Sequence, residues 1–129
     1  MPLDPAVRYL SLATYRRDGR EVRTPVWFVV IDERYYCFSA DDAGKIKRLR
    51  GRDRAAIAAC DARGRLRGPW HPARGNLVSD PALQRRVYAA LRARYGWQMA
   101  LLDWLARLGG RLGRRAVLEI VPAGDDTHA

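Results

Sequence analysis

Arg23-Thr24-Pro25-Val26-Trp27-Phe28 opens an apolar run that reaches Ile31, Tyr35-Tyr36-Cys37-Phe38-Ser39 forms a second run after Asp32-Glu33-Arg34, and Gly44-Lys45-Ile46-Lys47-Arg48-Leu49 follows. Together they predict a β-hairpin that delivers the chain to a short basic helix. Residues 43–50 carry Ile46 and Leu49 at i, i+3 with basic residues between them, which suits two helical turns, and Gly51 can end them. A helix N-terminus offers unpaired backbone N–H groups and the positive end of its dipole, and Lys45, Lys47 and Arg48 add full charges to it. A phosphate or carboxylate is the expected guest, and a phosphorylated cofactor is the leading reading. A solvated basic helix face is the plainer reading of the same residues.

Outward from this stretch, Tyr9-Leu10-Ser11-Leu12-Ala13-Thr14-Tyr15 alternates bulky and small residues as a half-buried strand does, and Arg16-Arg17-Asp18-Gly19-Arg20 supplies an Asp-Gly hairpin turn. Residues 22–31 read as one strand, and the apolar run 26–31 predicts that it is central and covered on both faces. With residues 35–39 it would complete an antiparallel meander of three strands. Residues 54–61 favour helix by propensity, but their place between Gly51 and the turn Asp61-Ala62-Arg63-Gly64 predicts a strand of small residues. Residues 65–70 are expected to start the next strand and 73–78 to continue it past a break near Pro69 and Pro72, because proline cannot donate to a ladder.

Ser79-Asp80-Pro81 is a helix start, and Leu83, Val87, Leu91, Tyr88 and Tyr95 describe one apolar face up to Gly96. Residues 97–108 form a second amphipathic segment, expected to turn Met99 or Ala100, Leu101, Trp104, Leu105 and Leu108 to the core before Gly109-Gly110 ends it. Trp97 and Trp104, at helical spacing, read as core or dimer interface. Residues 115–121 return as a final strand before Pro122 and a polar tail. Six or seven strands result, and curling such a sheet into a barrel removes its edges.

A chain of 129 residues, 48% hydrophobic, suffices for one compact domain. Met1-Pro2-Leu3-Asp4-Pro5 has neither the basic nor the apolar region of a signal peptide, and no apolar run approaches the ~20 residues of a membrane span, so a cytoplasmic location is expected. Cys37 and Cys60 lie in apolar runs without metal-ligand spacing and read as buried free thiols; His71 has no partner for a metal, and His128 belongs to the tail. One histidine in the body of the chain and no GxxxxGK[ST] make hydrolysis by a Ser-His-Asp triad and ATP chemistry poor assignments. The net charge of +10 draws in any polyanion: a nucleic acid, an anionic membrane or an acidic small molecule. All basic residues except Lys45 and Lys47 are arginine, a preference that codon usage can explain as well as function. Arg63-Gly64-Arg65-Leu66-Arg67-Gly68 and Gly110-Arg111-Leu112-Gly113-Arg114-Arg115 motivate a nucleic-acid reading, which ranks last.

The element order, with residues 9–14, 20–28, 39–50 and Cys60-Asp61-Ala62-Arg63-Gly64 followed by Gly68-Pro69-Trp70, resembles the pyridoxamine 5'-phosphate oxidase-like FMN-binding split-barrel superfamily, most closely its flavin/deazaflavin oxidoreductase branch. The likeness covers residues 6–121. It implies a mainly β fold: a six- or seven-stranded antiparallel split β-barrel, with a short basic helix and a two-helix insertion before the last strand, in a single domain over 1–129 with a frayed tail from about 122. It also implies a homodimer with a cofactor in the groove between subunits, and an oxidoreductase passing hydride between reduced coenzyme F420 and a small electrophilic substrate. FMN is the alternative cofactor, and a non-catalytic flavin, deazaflavin or tetrapyrrole binder the alternative function.

Carried onto this sequence, the resemblance implies that Thr24, Pro25, Val26 and Trp27 line the cofactor, that Ser39 stands at its strand end, and that Lys45, Lys47 and Arg48 hold its phosphate. Gly68, Pro69 and Trp70 match the strand that approaches the ring, although Trp27 and Trp70 read equally as core. FMN-dependent members carry an Arg and a Lys spaced along the second strand; here Arg23 stands alone and residues beyond Thr24 are apolar, which favours the deazaflavin. Its phosphodiester and glutamate tail suits a broad basic groove. No proton donor is identified, no membrane is expected as a partner, and nucleic acid is not expected either.

Overall fold

A computed structural model describes residues 3, 4, 6–40, 48, 49, 53–108 and 115–123. β1 (Tyr9–Tyr15) and β2 (Glu21–Val26) form the first hairpin, in register from Leu10↔Val26 to Tyr15↔Glu21. Gly19, at φ +90°, takes the left-handed position that the turn requires, and the Arg16 N–H donates to the Arg20 carbonyl at 2.9 Å to close it. β3 (Val29–Ile31) and β4 (Arg34–Ala40) form a second hairpin across Asp32 and Glu33, both at positive φ, as a two-residue turn that follows the strand twist demands. β5 (Arg54–Cys60), β6 (His71–Leu77) and β7 (Arg115–Pro122) complete a sheet of order β2-β1-β5-β6-β7-β4-β3, antiparallel throughout.

Residues 22–31 therefore do not make one central strand. They are split into β2 and β3, which lie at opposite edges of the sheet and are joined by Trp27 and Phe28 alone. Laid flat, seven strands would hold those edges roughly 29 Å apart, six spacings of about 4.8 Å. Two linking residues span at most about 11 Å. The sheet must curl until its edges face each other, and since they share no ladder among the described residues, the barrel is split. The expected meander is thus two hairpins at opposite ends of the sheet order.

The run that looked apolar on both faces serves two cores. Val26 and Phe28 enter the barrel interior with Leu10, Leu12, Tyr35, Ile57, Leu118 and Ile120. Trp27, Val29 and Ile31 face outward into a second cluster with Tyr36 and Val117, which the helices cover. α1 (Pro81–Tyr95) contributes Val87, Leu91 and Tyr95 to that cluster, and α2 (Trp97–Leu108) contributes Met99. Asp80 caps α1, accepting from the Ala82 N–H at 3.0 Å, and Gly96 ends it.

Two further expectations change. Residues 65–70 form a loop whose strand pairing with β5 is a Cys60↔Leu66 bridge; the strand itself starts at His71. Pro72 is accommodated within β6 because pairing with β7 begins one residue later, at Ala73↔Pro122, so Pro72 lies past the end of that ladder. On α2, Met99 is buried as expected, but Leu101 and Trp104 are not in the core: Trp97, Leu101 and Trp104 are 74%, 46% and 57% exposed. Helical periodicity marks a face without naming what covers it, and among the described side chains of α2 it is Met99 that α1 and the sheet bury. The Leu105 and Leu108 side chains, and the helix expected at 43–50 apart from helical Arg48 and Leu49, lie outside the described residues, as does the tail beyond Ala123. Cys37 and Cys60 are buried free thiols, as their surroundings predicted.

Candidate functional site

The basic cluster enters the described structure at its last two residues; Lys45 and Lys47 lie outside it. Leu49 is buried in the barrel interior against Gly75, where an added Cβ would come within 3.0 Å of a Leu49 methyl. Glycine at 75 thereby admits Leu49, and Leu49 anchors its neighbour Arg48. The Arg48 Nε donates to Thr14 Oγ1 at 2.6 Å, and Thr14, on the inward register of β1 after Leu10 and Leu12, is only 1% exposed. Partial burial first, and then the charge of Arg16, hold the Arg48 pKa below the ordinary guanidinium value. Arginine stays protonated all the same, so this environment leaves a cation in want of a counter-charge. Among the described residues, neither Arg16 nor Arg48 has a carboxylate within ion-pair distance. Arg54 adds a third guanidinium at this end of the barrel, 3.9 Å above the Tyr15 ring.

Strand alternation divides the predicted quartet on β2 and the corner after it. Thr24, half-buried, is on the inner face, and with Thr14 opposite Val22 it is the diagonal neighbour of Thr14, about 7–8 Å away and somewhat less between Cβ atoms. Val26 is also inward but packed in the core. Pro25 is exposed on the other face, beside Gly64, and Arg23 on that face stands 4.8 Å over the half-buried Trp70. Trp27 is half-buried and stacks on Tyr95 at 4.7 Å between ring centroids. Ser39 is half-buried one residue before β4 ends, where the chain leaves toward Arg48. Gly68 has Ala59 as its nearest neighbour, 3.8 Å from where a Cβ would stand, and Pro69 is exposed. The structure thus brings Thr14, Thr24 and Arg48 to the inner face beside the split, and Arg23, Pro25 and Trp70 to the outer face of the same hairpin.

Thr14 and Arg16 were not among the residues singled out from sequence. A signal for Thr14 existed: in Leu10-Ser11-Leu12-Ala13-Thr14 it occupies the inward register of the two leucines, so a hydroxyl there needs an inward partner. Tyr95, assigned only to the apolar face of α1, also fastens the corner. Its hydroxyl accepts from the Phe28 N–H at 3.0 Å and has the carbonyls of Arg8 (2.8 Å) and Phe28 (3.0 Å) as acceptors for its own proton. Arg94 lies 4.5 Å over the Phe28 ring and donates to the Val7 carbonyl.

The curled antiparallel sheet agrees with the family comparison. The pyridoxamine 5'-phosphate oxidase model matches residues 5–125, and the chain belongs to that family. No curated protein sequence matches it. Among solved structures, the conserved hypothetical protein Rv2991 from Mycobacterium tuberculosis superposes with a TM-score of 0.69 at 23% identity, covering 92% of this chain and 75% of that one. HutZ, the heme storage protein from Vibrio cholerae, gives 0.69 at 18% identity, over 91% of this chain and 82% of its own. An F420 reductase gives 0.59 at 19% identity, over 92% and 89%. At these identities the likeness speaks for the fold.

Proposed function

We propose that this chain is a coenzyme F420-dependent oxidoreductase, acting on a small electrophilic organic substrate as a cytoplasmic homodimer with the cofactor between subunits. The observation that carries the reading is Arg48: half-buried, held by the buried Thr14, beside the like charge of Arg16, and without a carboxylate partner among the described residues. Such a site lowers its energy by taking an anion, and among the described residues the guanidinium fork beyond Nε meets no carboxylate, which suits it to phosphate oxygens. Lys45 and Lys47, three positions and one position earlier, would extend the grip along an acidic tail. Arg23 alone on β2, with apolar residues beyond Thr24, favours this cofactor over FMN, and an F420 reductase shares the fold.

When bound, the deazaflavin supplies the hydride. The chain's part is to fix the tail through Arg48 and to orient the ring along the inner face of β2, where Thr24 offers a hydroxyl; Trp70, on the outer face with Arg23, stands away from a ring held there. Reduction of a double bond also needs a proton, for which solvent suffices.

A second reading, a non-catalytic binder of a flavin, deazaflavin or tetrapyrrole, draws support from the similarity in fold to HutZ. Titration of the purified chain with coenzyme F420, FMN and haemin, followed by assay of reduced F420 against a panel of enones and quinones, separates the two. Tight F420 binding with turnover is expected; stoichiometric binding without oxidation favours the carrier, and absence of F420 binding overturns the proposal. Lys45→Ala with Lys47→Ala is expected to weaken F420 binding by roughly 2 to 4 kcal/mol, about 1 to 2 for each charge-assisted contact, with the fold intact.

A further inference from the structure

The positive charge of this protein is not spread evenly. Residues 81–115, the two helices and the segment leading into β7, hold eight arginines and one acid, Asp103, which is a net +7 of the chain's +10. On α2, within this basic insertion, Trp97, Leu101 and Trp104 follow each other at i, i+4 and i+7, so they project within about 60° of one another along roughly 10 Å of helix. All three are exposed, while Met99 holds the opposite side of the helix to the body of the protein. Arg92 in the last turn of α1 is exposed and precedes the stripe, Arg8, also exposed, reaches Gln98 on α2 at 3.3 Å, and Arg107 follows in the sequence; Arg94 is turned inward, to the Phe28 ring and the Val7 carbonyl.

We infer that the Trp97–Leu101–Trp104 face is a docking surface for an anionic lipid bilayer. Indole rings favour the boundary between headgroup and acyl chain, having an apolar body and a polar N–H, and one stands at each end of this stripe with a leucine between. The arginines supply the other half of the attraction, toward anionic headgroups. A second copy of this chain fits the face less well. The +7 of each insertion opposes the approach of two copies of this face, and among the described side chains these three expose on the order of 400 Å², about half of what one partner contributes to a stable interface. Among the described residues no helix is long and apolar enough to cross a membrane. The expectation that no membrane is a partner rested on such a span, which a peripheral contact does not need.

The full chain is mixed with vesicles of equal parts phosphatidylcholine and phosphatidylglycerol, or of phosphatidylcholine alone, and read by co-sedimentation and tryptophan emission. Binding to the anionic vesicles with a blue-shifted emission is expected, reduced by added salt and reduced at least about tenfold by Trp97→Ser with Trp104→Ser, whose exposure leaves folding intact as checked by circular dichroism. Two results overturn the inference: no binding to the anionic vesicles at low salt, or binding that the double variant leaves unchanged, which would assign it to the arginines alone. A third also overturns it: a dimer in sedimentation that the double variant converts to monomer, with no vesicle binding, which gives the face to a second copy.

Discussion

Arg48 and Thr14 illustrate how a single buried hydroxyl can set the use of a charge. The Thr14 Oγ1 takes the Nε proton of Arg48 at 2.6 Å, which orients the guanidinium without neutralising it. Arg48→Ala is expected to weaken F420 binding by about 1–2 kcal/mol, one charge-assisted contact, and Thr14→Val by about 1 kcal/mol through loss of that orientation, with Thr14→Ser restoring it. Fluorescence titration of the three variants checks the order. A Thr14→Val protein that binds as tightly as the parent would leave Thr14 a packing residue. At this scale the sequence was half legible: charge and spacing pointed to Arg48, but a threonine at the end of a strand reads as the approach to a turn until its inward register is counted. The alternation Thr24-in, Pro25-out likewise divides a contiguous motif that sequence alone presents as one unit.

Turns carry the clearest consequences at the scale of elements. Asp32 and Glu33 both occupy positive φ, a conformation that costs a β-carbon-bearing residue of ordinary type about 1 kcal/mol. Glu33→Gly is expected to raise the melting temperature by roughly 3–5 °C, measured by thermal denaturation. In the loop after β5, the Arg65 backbone N–H first, with the Arg65 side chain and the Arg63 N–H, holds the Asp61 carboxyl below its ordinary range. A depressed carboxylate pKa stabilises the fold above the unfolded value and loses that contribution as pH falls through the folded one. Thermal unfolding below about pH 4 should therefore be less pH-dependent in Asp61→Asn than in the parent. Both turns were readable from residue type. The corner at Trp27 and Phe28 was not, because its two aromatic residues are good strand formers and the run through them is apolar on both faces; that pattern is the same for one strand covered twice and for two strands that enter different cores.

For the whole molecule, closure depends on contacts distant in sequence. Tyr95 on α1 meets Phe28 and Arg8 across the corner that joins the two sheet edges, and Trp27 stacks on its ring. Tyr95→Phe keeps the stacking but leaves the buried Phe28 N–H unpaired, so a loss of about 2–3 kcal/mol is expected in urea unfolding. β7 has an equivalent role in the ladder: among the described strands, it is β7 that links β6 to β4. On the ribosome, a nascent chain that has emerged through α2 holds β2-β1-β5-β6 and β4-β3 as two unfinished sheets, each with a raw edge that can pair with a neighbouring polypeptide. Synthesis of the final strand is then the moment at which both fragments are sewn together, and the interval before it is when this protein is most exposed to aggregation and most in need of a chaperone.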